Sequence, residues 1–412
     1  MKIAIVNQPM GNRGDESAHR AFTRRLCQRF PNIQFDIIET IENQKMIETF
    51  KVNEPNVGYI TLLGNKKDFM RAEQVGLVLH NAKLARLHPY VNNLAKELKN
   101  YDAVICAPGG ICMGGFMNWN HVYQLHLAKQ MKKPVLYWGR SIGPFTTEDF
   151  KHKVFTKAAD EILHYFSFIS LRDKKSLKIA EEMGVKAVST VDSAFLEVPN
   201  ANVPEEIAKA IGDGKYMVFV PNSLTWHYRY KPLPQERIDS FYYKVFGKII
   251  ENHPDWKIVM LPQTYMSIIE DWDYFMKLKE NYCKSHTDCN DKIIVVDENQ
   301  SSDIQQTIIS KAELVIGARY HSIVFALNNS RPFVSLCYEH KMSGLLETLG
   351  LTEYMVDISD IFDDGNEEKL DRAVEMAGEK IKTARSRPEE TKKAKEIVDA
   401  AFEQMCGVIE KL

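Results

Sequence analysis

Short apolar runs rich in β-branched residues alternate along the chain with longer stretches whose apolar residues recur at helical spacing. This alternation is typical of βα units around parallel sheets, so it predicts an α/β fold. In the first half the predicted strands are Lys2–Asn7, Phe35–Glu39, Ala103–Ala107, Pro134–Trp138, Phe168–Leu171 and Ala187–Val191. The predicted helices there are Glu16–Phe30, His121–Met131, Phe150–Phe166 and Lys175–Met183.

A second series of strands follows a stretch rich in proline and asparagine, Leu196–Pro204. Its members are Tyr216–Val220, Lys257–Leu261, Lys292–Val296, Leu314–Ile316 and Phe333–Leu336. We therefore expect two α/β domains, 1–198 and 199–375. Beyond them, apolar residues at helical spacing over 376–412 predict a charged helical segment whose apolar face packs back on the first domain.

Composition narrows the class of protein. The 412 residues are 44% apolar and 26% charged with a formal charge of −2, which argues against non-specific nucleic-acid binding. No apolar run approaches the roughly 20 residues of a membrane-spanning helix, and the first residues lack the apolar core of a signal peptide. Seven scattered cysteines indicate reduced thiols. We expect a cytoplasmic protein, with a peripheral position on the inner face of the membrane left open.

The segment G-A-R-Y-H-S-I-V-F-A-L, Gly317–Leu327, carries the most informative chemistry. Arg319 and His321 stand where a predicted strand passes into a helix, which is where ligands bind in open α/β sheets. The helix amino terminus adds free N–H groups and partial positive charge. These residues predict a site for an anion that also needs a proton, with Tyr320 as a neighbouring binding candidate. A helix cap with a core-facing histidine is an equally good interpretation of this segment alone.

Two glycine-bearing loops also follow predicted strands. In the first loop, N-R-G-D-E follows Gly11, so Asn12 lies between Gly11 and Gly14, and Asp15 follows Gly14. A-P-G-G-I-C-M-G-G-F-M-N-W-N includes Gly109, Gly110 and Asn118 and combines backbone freedom with aromatic and amide groups, a mixture that suits sugars. Each loop is compatible with a structural turn as well as with a binding loop. C-x-x-H-x-x-C, Cys283–Cys289, matches no common zinc pattern, so we expect no metal there.

Further cations occur at predicted strand ends. W-G-R-S-I-G-P-F carries Arg140 and Ser141, and L-R-D-K-K-S-L carries Arg172. A salt bridge to a helix start and an anion clamp are the two interpretations of Arg172. Lys341, after P-F-V-S-L-C-Y-E-H, adds a third cation or is merely solvated. The aromatic segment Pro221–Tyr230 is compatible with an active-site loop or a surface loop.

Taken in order, these blocks resemble the polysaccharide pyruvyl transferase family. The resemblance rests on N-R-G-D-E, A-P-G-G, G-R-S-I-G-P-F, L-R-D-K-K-S-L-K-I-A-E-E-M-G-V, V-D-S-A-F, G-A-R-Y-H-S-I-V-F-A-L and S-L-C-Y-E-H-K. It implies a GT-B-like arrangement of two Rossmann-type domains facing a cleft. It also implies transfer of a pyruvyl group from phosphoenolpyruvate to sugar hydroxyls as a ketal, in the synthesis of a cell-surface or capsular polysaccharide.

The same resemblance implies roles for particular residues. Arg172, Arg319 and His321 match the residues expected to hold phosphoenolpyruvate, and Lys341 matches the lysine of the Y-x-x-K turn. Two departures are Arg140, where glutamine is common, and Pro221-Asn222, where many members carry an arginine-containing segment. We assign His321 as general acid and the two arginines as anion clamps, because phosphoenolpyruvate carries two anionic groups and its methylene must be protonated. Asp15 and Asp192 are candidate bases.

Partners and rival functions follow from that chemistry. The expected substrates are phosphoenolpyruvate on the C-terminal domain and a sugar acceptor, lipid-linked or free, on the N-terminal domain, with no cofactor, metal or nucleic acid. Oligomeric state is left open. The remaining predicted substrate-binding residues are Asn12, Asp15, Gly109, Gly110, Asn118, Arg140, Ser141, Asp192 and Tyr320. The rivals are a glycosyltransferase or epimerase acting on a nucleotide-sugar and a non-catalytic carbohydrate-binding protein.

Overall fold

The structure is a computed structural model of the chain. It describes residues 1–412 apart from 10, 41–50, 63–83, 111–112, 115–116, 228, 266–269, 287–288, 298 and 364. The chain divides into two compact units. Unit 1 comprises Met1–Met10, Asp15–Glu197 and Lys395–Leu412, and unit 2 comprises Gly11–Gly14 and Val198–Ala394.

Unit 1 is built on a parallel sheet of seven strands among its described residues. The strands are β1 (Lys2–Val6), β2 (Gln34–Thr40), β3 (Val57–Leu62), β4 (Ala103–Cys106), β5 (Val135–Arg140), β6 (Phe168–Leu171) and β7 (Val188–Ser189). Their order is β3-β2-β1-β4-β5-β6-β7, so the connections reverse direction between β1 and β4. Ligands of open α/β sheets bind at the carboxyl ends of such a strand pair.

Unit 1 contains helices with buried apolar residues, and three of these helices begin at a polar side-chain cap. The helices are α1 (Arg13–Arg29), α2 (Pro89–Leu98), α3 (Trp119–Gln130), α4 (Phe150–Leu163) and α5 (Lys174–Glu182). Asp149 and Asp173 cap α4 and α5 by accepting hydrogen bonds from the backbone N–H groups of His152 and Ser176, both at 2.8 Å. Such caps satisfy donors that the first helical turn leaves without partners.

Unit 2 repeats the architecture with a six-stranded parallel sheet. Its strands are β8 (Tyr216–Val220), β9 (Lys257–Met260), β10 (Ile293–Val295), β11 (Leu314–Gly317), β12 (Phe333–Cys337) and β13 (Met355–Asp357). Their order is β10-β9-β8-β11-β12-β13, with the reversal between β8 and β11. The helices are α6 (Glu205–Ile211), α7 (Gln235–Asn252), α8 (Asp271–Ser285), α9 (Ser302–Lys311), α10 (Tyr320–Asn328), α11 (His340–Leu349) and α12 (Glu367–Thr383).

The last helix, α13 (Pro388–Ile409), carries the chain back into unit 1. Phe402 is fully buried, and its ring lies edge-on to Phe22 of α1 and Trp138 of β5, at centroid distances of 6.3 and 5.9 Å. Arg25 forms an ion pair with Asp399 at 3.2 Å. The predicted return of a C-terminal helix to the first domain is confirmed.

The predicted α/β class is confirmed, since both sheets are parallel and have the strand order of Rossmann folds. Two strands were not predicted, β3 and the three-residue β13. β3 is half-buried throughout and contains Gly58, which weakens the apolar signal of a strand. The predicted boundary at 375 falls within α12. No helix in the described ranges is long and apolar enough to cross a membrane.

Candidate active site

Arg319 and His321 lie at the point where the second sheet reverses its strand order. β11 ends at Gly317, and α10 begins at Tyr320 with Arg319 as its N-cap residue. The predicted location of Arg319 and His321 at a strand-to-helix turn is confirmed. This turn presents a cation and the amino terminus of a nine-residue helix at the same strand end.

The guanidinium of Arg319 is held by a buried carboxylate. Arg319 Nη2 pairs with Asp271 Oδ1, and the two side chains are 13% and 1% exposed. Asp271 Oδ2 accepts hydrogen bonds from the backbone N–H groups of Gln263 at 3.0 Å and Thr264 at 2.9 Å. Burial lowers the pKa of Arg319, but its neighbours, Asp271 first among them, together raise it by more, so the pKa lies above its usual value and the charge is kept. The Asp271 carboxylate is therefore fixed on one side by backbone and on the other by Arg319.

The loop after β8 supports Arg319 from a second direction. The Trp226 ring lies 5.8 Å from Arg319 Cζ, within reach of a cation–π interaction. Trp226 Nε1 donates to Asn222 Oδ1 at 2.9 Å, and Leu224 N donates to the same oxygen at 3.1 Å. Trp226 also lies edge-on to Tyr338, which follows β12. The predicted aromatic loop is thus bonded into the site through Asn222.

The imidazole of His321 packs directly on the backbone of Gly14. A Cβ built at Gly14 would lie 1.8 Å from His321 Nδ1 and 1.9 Å from its Cγ, so only glycine leaves room for the ring. Tyr320, which is buried, and Phe325 place their rings 5.0 and 6.2 Å from the imidazole. Two motif blocks that are 307 positions apart (321 − 14) therefore meet within unit 2.

The short segment Gly11–Gly14 is bonded to the end of β9. Asn12 forms an antiparallel bridge with Thr264, and Arg13 N donates to Gln263 O at 2.8 Å. Arg13 Cζ lies 3.8 Å from the centroid of the Tyr265 ring. This places the predicted binding residue Asn12 beside the backbone that holds Asp271.

Lys341 follows the next strand of the sheet, in the first turn of α11. Its ammonium pairs with Glu339 at 2.7 Å, and its side chain is 30% exposed. Burial raises the pKa of Glu339, but its neighbours, Lys341 first among them, together lower it by more, so the pKa lies below its usual value. Burial also lowers the pKa of His227, against the opposing effect of Glu339. Lys341 is therefore a paired cation beside the aromatic loop.

In unit 1, Arg140 binds backbone carbonyls at the switch point of the first sheet, the place where its strand order reverses. Its fully buried guanidinium donates to the carbonyl oxygens of Asn7, Ala107 and Pro108. Asn7 follows β1 and Ala107 follows β4, so Arg140 joins the two strand ends where the order reverses. A Cβ at Gly109 would lie 3.2 Å from Arg140 Cζ, which shows how closely this backbone approaches the guanidinium.

Arg172, Ser141 and Asp192 form one buried network. Arg172 Nη1 pairs with Asp192 Oδ2 at 2.6 Å, and Asp192 Oδ1 accepts from Ala194 N at 3.0 Å. Arg172 Nε donates to Ser141 Oγ at 3.4 Å, and Ser141 Oγ donates to Asp173 Oδ2 at 2.6 Å. Asp192 is the N-cap residue of a short 3-10 helix, Ser193–Leu196, so Arg172 makes a salt bridge to a helix start, which is one of the two interpretations of its sequence context.

The remaining predicted residues of unit 1 lie on its glycine loop and first helix. Asn118 is exposed and caps α3 by accepting from His121 N at 3.1 Å. Asp15 lies in the first turn of α1, and Gly110 has open space where a Cβ would project. Residues 111–112 and 115–116 of the glycine cluster lie outside the described residues.

Arg319, His321 and Lys341 belong to unit 2, whereas Arg172 and Arg140 belong to unit 1. Joint action of Arg172 with Arg319 stays a prediction. Sequence reasoning missed Asp271; its only local signal is an acidic residue in the first turn of a helix, which is a common feature of helices. Among the described residues, no three His, Cys, Asp or Glu side chains group so as to hold a metal ion.

A Rossmann-type sheet with an arginine and a histidine at its switch point defines an α/β protein that carries a cation at the strand ends where ligands of such folds bind. Comparison with known proteins identifies the family. The model of the polysaccharide pyruvyl transferase family matches residues 12–340, and the chain belongs to this family. The amylovoran biosynthesis protein AmsJ of Erwinia amylovora is 25% identical over 389 residues, covering 88% of this chain and 89% of AmsJ.

Solved structures share the fold at low sequence identity. A UDP-GlcNAc 2-epimerase from Neisseria meningitidis bound to UDP-GlcNAc has a TM-score of 0.59 and 10% identity, covering all of both chains. A putative UDP-N-acetylglucosamine 2-epimerase from Listeria monocytogenes has a TM-score of 0.59 and 11% identity, covering 98% of this chain and 96% of its own. A ugt transferase from Siraitia grosvenorii in complex with UDP has a TM-score of 0.59 and 10% identity, covering 99% of this chain and 99% of its own. These likenesses show the fold alone.

Proposed function

We propose that the protein transfers a pyruvyl group from phosphoenolpyruvate to hydroxyls of a sugar in a cell-surface or capsular polysaccharide precursor. The product is a pyruvate ketal, and phosphate is released. Membership of the polysaccharide pyruvyl transferase family supports the transferred group and the class of acceptor. The amylovoran biosynthesis protein, a relative over most of both chains, supports the same acceptor class.

The observation that carries the proposal is the presence of a fixed guanidinium and an imidazole, two residues apart, at the switch point of unit 2. Arg319 is oriented by Asp271 and Trp226, and His321 stands two residues further on against Gly14. Because Asp271 holds the Arg319 guanidinium and the His321 imidazole packs on Gly14, the two groups are positioned before a ligand binds. Such preorganisation is the main source of electrostatic catalysis.

These residues suit the chemistry of phosphoenolpyruvate. Its phosphate and carboxylate require cations, which Arg319 supplies with bidentate geometry and the helix amino terminus reinforces. In the reaction His321 gives a proton to the methylene carbon while a sugar hydroxyl adds to the neighbouring carbon and releases its proton to water. A second hydroxyl then displaces phosphate, which takes up the proton of that hydroxyl, so one phosphate leaves for each ketal formed. Arg319 stabilises the phosphate as it leaves.

Acceptor-dependent phosphate release tests the proposal. The purified chain is incubated with phosphoenolpyruvate and a panel of sugars and lipid-linked sugars, and both free phosphate and ketal mass are measured. Arg319→Ala and His321→Ala should abolish release, whereas Arg372→Ala and His286→Ala, at exposed positions of the same unit, should keep it. Wild-type turnover in both site variants would show that the site is assigned wrongly.

Thermal stabilisation separates the rival functions. A ligand that binds the native state raises the melting temperature by mass action. The proposal expects a rise with phosphoenolpyruvate and none with UDP-N-acetylglucosamine. The reverse pattern would favour a nucleotide-sugar enzyme. Sugar binding that persists in His321→Ala without any phosphate release would favour a non-catalytic carbohydrate-binding protein.

A further inference from the structure

We propose that the side-chain amide of Asn222 is a further ligand-binding group, which donates a hydrogen bond from Nδ2 to an oxygen of the anionic donor. The inference rests on the proposed function and deepens it, because it adds a neutral donor to the cationic residues of unit 2. Asn222 follows β8, the strand that pairs with β11 at the switch point.

The orientation of this amide is settled by its neighbours. Oδ1 accepts from Trp226 Nε1 at 2.9 Å and from Leu224 N at 3.1 Å, and both partners are donors. Oxygen and nitrogen therefore cannot be exchanged without losing both bonds. The backbone is equally fixed, since Asn222 N donates to Tyr242 Oη and Asn222 O accepts from it, each at 3.0 Å.

With Oδ1 occupied, Nδ2 is the group that remains. Asn222 is fully buried, and its Nδ2 has no hydrogen-bond partner among the residues that the structure describes. A buried donor without an acceptor is rare and costly in native proteins. An oxygen of a bound ligand would satisfy it.

The neighbourhood is rich in donors that lack acceptors. Arg319 Nε, after β11, and Gln263 Nε2, after β9, are also buried and without partners within the described part of the chain. The order of these strands is β9-β8-β11, so the Asn222 amide follows the middle one. Trp226 links Asn222 to Arg319, as it bonds the amide and lies under the guanidinium. Donors from adjacent strand ends fit a ligand with several acceptor oxygens, such as phosphate or carboxylate.

Asn222→Asp tests the role because the two side chains have the same shape. Aspartate keeps an oxygen for Trp226 and Leu224, so the loop should be retained. It replaces the Nδ2 donor with a carboxylate oxygen that repels an anion. We expect the KM for phosphoenolpyruvate to rise at least about tenfold, since hydrogen bonds to charged groups are among the stronger ones. The melting temperature without ligand should fall, because a carboxylate at this fully buried position loses its hydration, and it shows whether the variant is still folded when KM is measured.

The matched control is Asn281→Asp in the same unit. Asn281 is exposed on α8, and its Oδ1 accepts from Lys284 at 2.9 Å, so the control makes the same chemical change away from the strand ends. It should leave KM unchanged. An unchanged KM in Asn222→Asp would overturn the inference while Arg319→Ala remained inactive. If the wild-type chain releases no phosphate with any acceptor, the result would instead count against the proposed function.

A crystal structure of the wild-type chain with phosphoenolpyruvate gives a readout that needs no variant to fold. The inference expects a ligand oxygen within about 3.2 Å of Asn222 Nδ2. Phosphoenolpyruvate bound at Arg319 with Asn222 Nδ2 bonded only to protein or water would overturn it.

Discussion

Replacing Gly14 by alanine places a methyl group where the imidazole of His321 lies. The added Cβ would be 1.8 Å from Nδ1, 1.9 Å from Cγ and 2.3 Å from Cε1. Non-bonded carbon atoms are most stable about 3.5–4.0 Å apart, so the ring must move by on the order of 2 Å. Because Cγ as well as the far edge of the ring is overlapped, rotation about the last side-chain bond does not relieve the contact.

The effect should appear in turnover more than in stability. A positioned general acid contributes about 10²–10⁴-fold to rate, and a displacement of about 1 Å can cost about 10²-fold. We therefore expect kcat to fall at least about 100-fold. Overpacking costs about 1–3 kcal/mol, and the better helix propensity of alanine returns about 1 kcal/mol. The chain should remain folded.

Gly11→Ala is the matched control, because a Cβ at Gly11 meets nothing within 4 Å. Acceptor-dependent phosphate release gives kcat for both variants, and urea unfolding gives their free energies of unfolding. We expect Gly11→Ala to turn over like wild type and Gly14→Ala to resemble His321→Ala. Near-wild-type turnover of Gly14→Ala would refute the role of a fixed imidazole.

Two further predictions concern buried ionisable side chains. Asp271→Asn leaves the Arg319 charge without its counterion, so we expect a loss of about 3–5 kcal/mol in the free energy of unfolding and a raised KM for phosphoenolpyruvate; the exposed Asp273→Asn on the same helix should change neither. Burial lowers the pKa of His19 from 6.5 to about 3. Its neutral form therefore supports the fold fully above pH 6.5, and this support is lost as the pH falls towards 3, where the unfolded chain binds the extra proton. Urea unfolding of His19→Gln should show a shallower loss of stability over that window than the half-exposed control His164→Gln; equal slopes would contradict it.

Much of the fold is encoded locally, and this explains which elements could be predicted. Fully buried parallel strands such as β4 and β8 read as continuous apolar runs. β3 was missed because its residues are half-buried and it includes a glycine. Strand order was beyond the sequence, since pairing such as β1 with β4 joins segments about a hundred residues apart.

The candidate site likewise combines features that a local pattern encodes with features that depend on distant segments. The position of Arg319 and His321 follows from a local strand-to-helix pattern, so it was predictable. The ion pair with Asp271 and the contact of His321 with Gly14 depend on which strand ends are neighbours, which local patterns do not reveal. Arg172 was left with two interpretations because its partner, Asp192, lies 20 residues away.

Calorimetric titration of the wild-type chain with phosphoenolpyruvate measures donor binding by itself, because it needs no acceptor. We expect binding at one site, which Arg319→Ala abolishes and Arg372→Ala leaves intact. Absence of phosphoenolpyruvate binding, or binding that Arg319→Ala does not weaken, would contradict it.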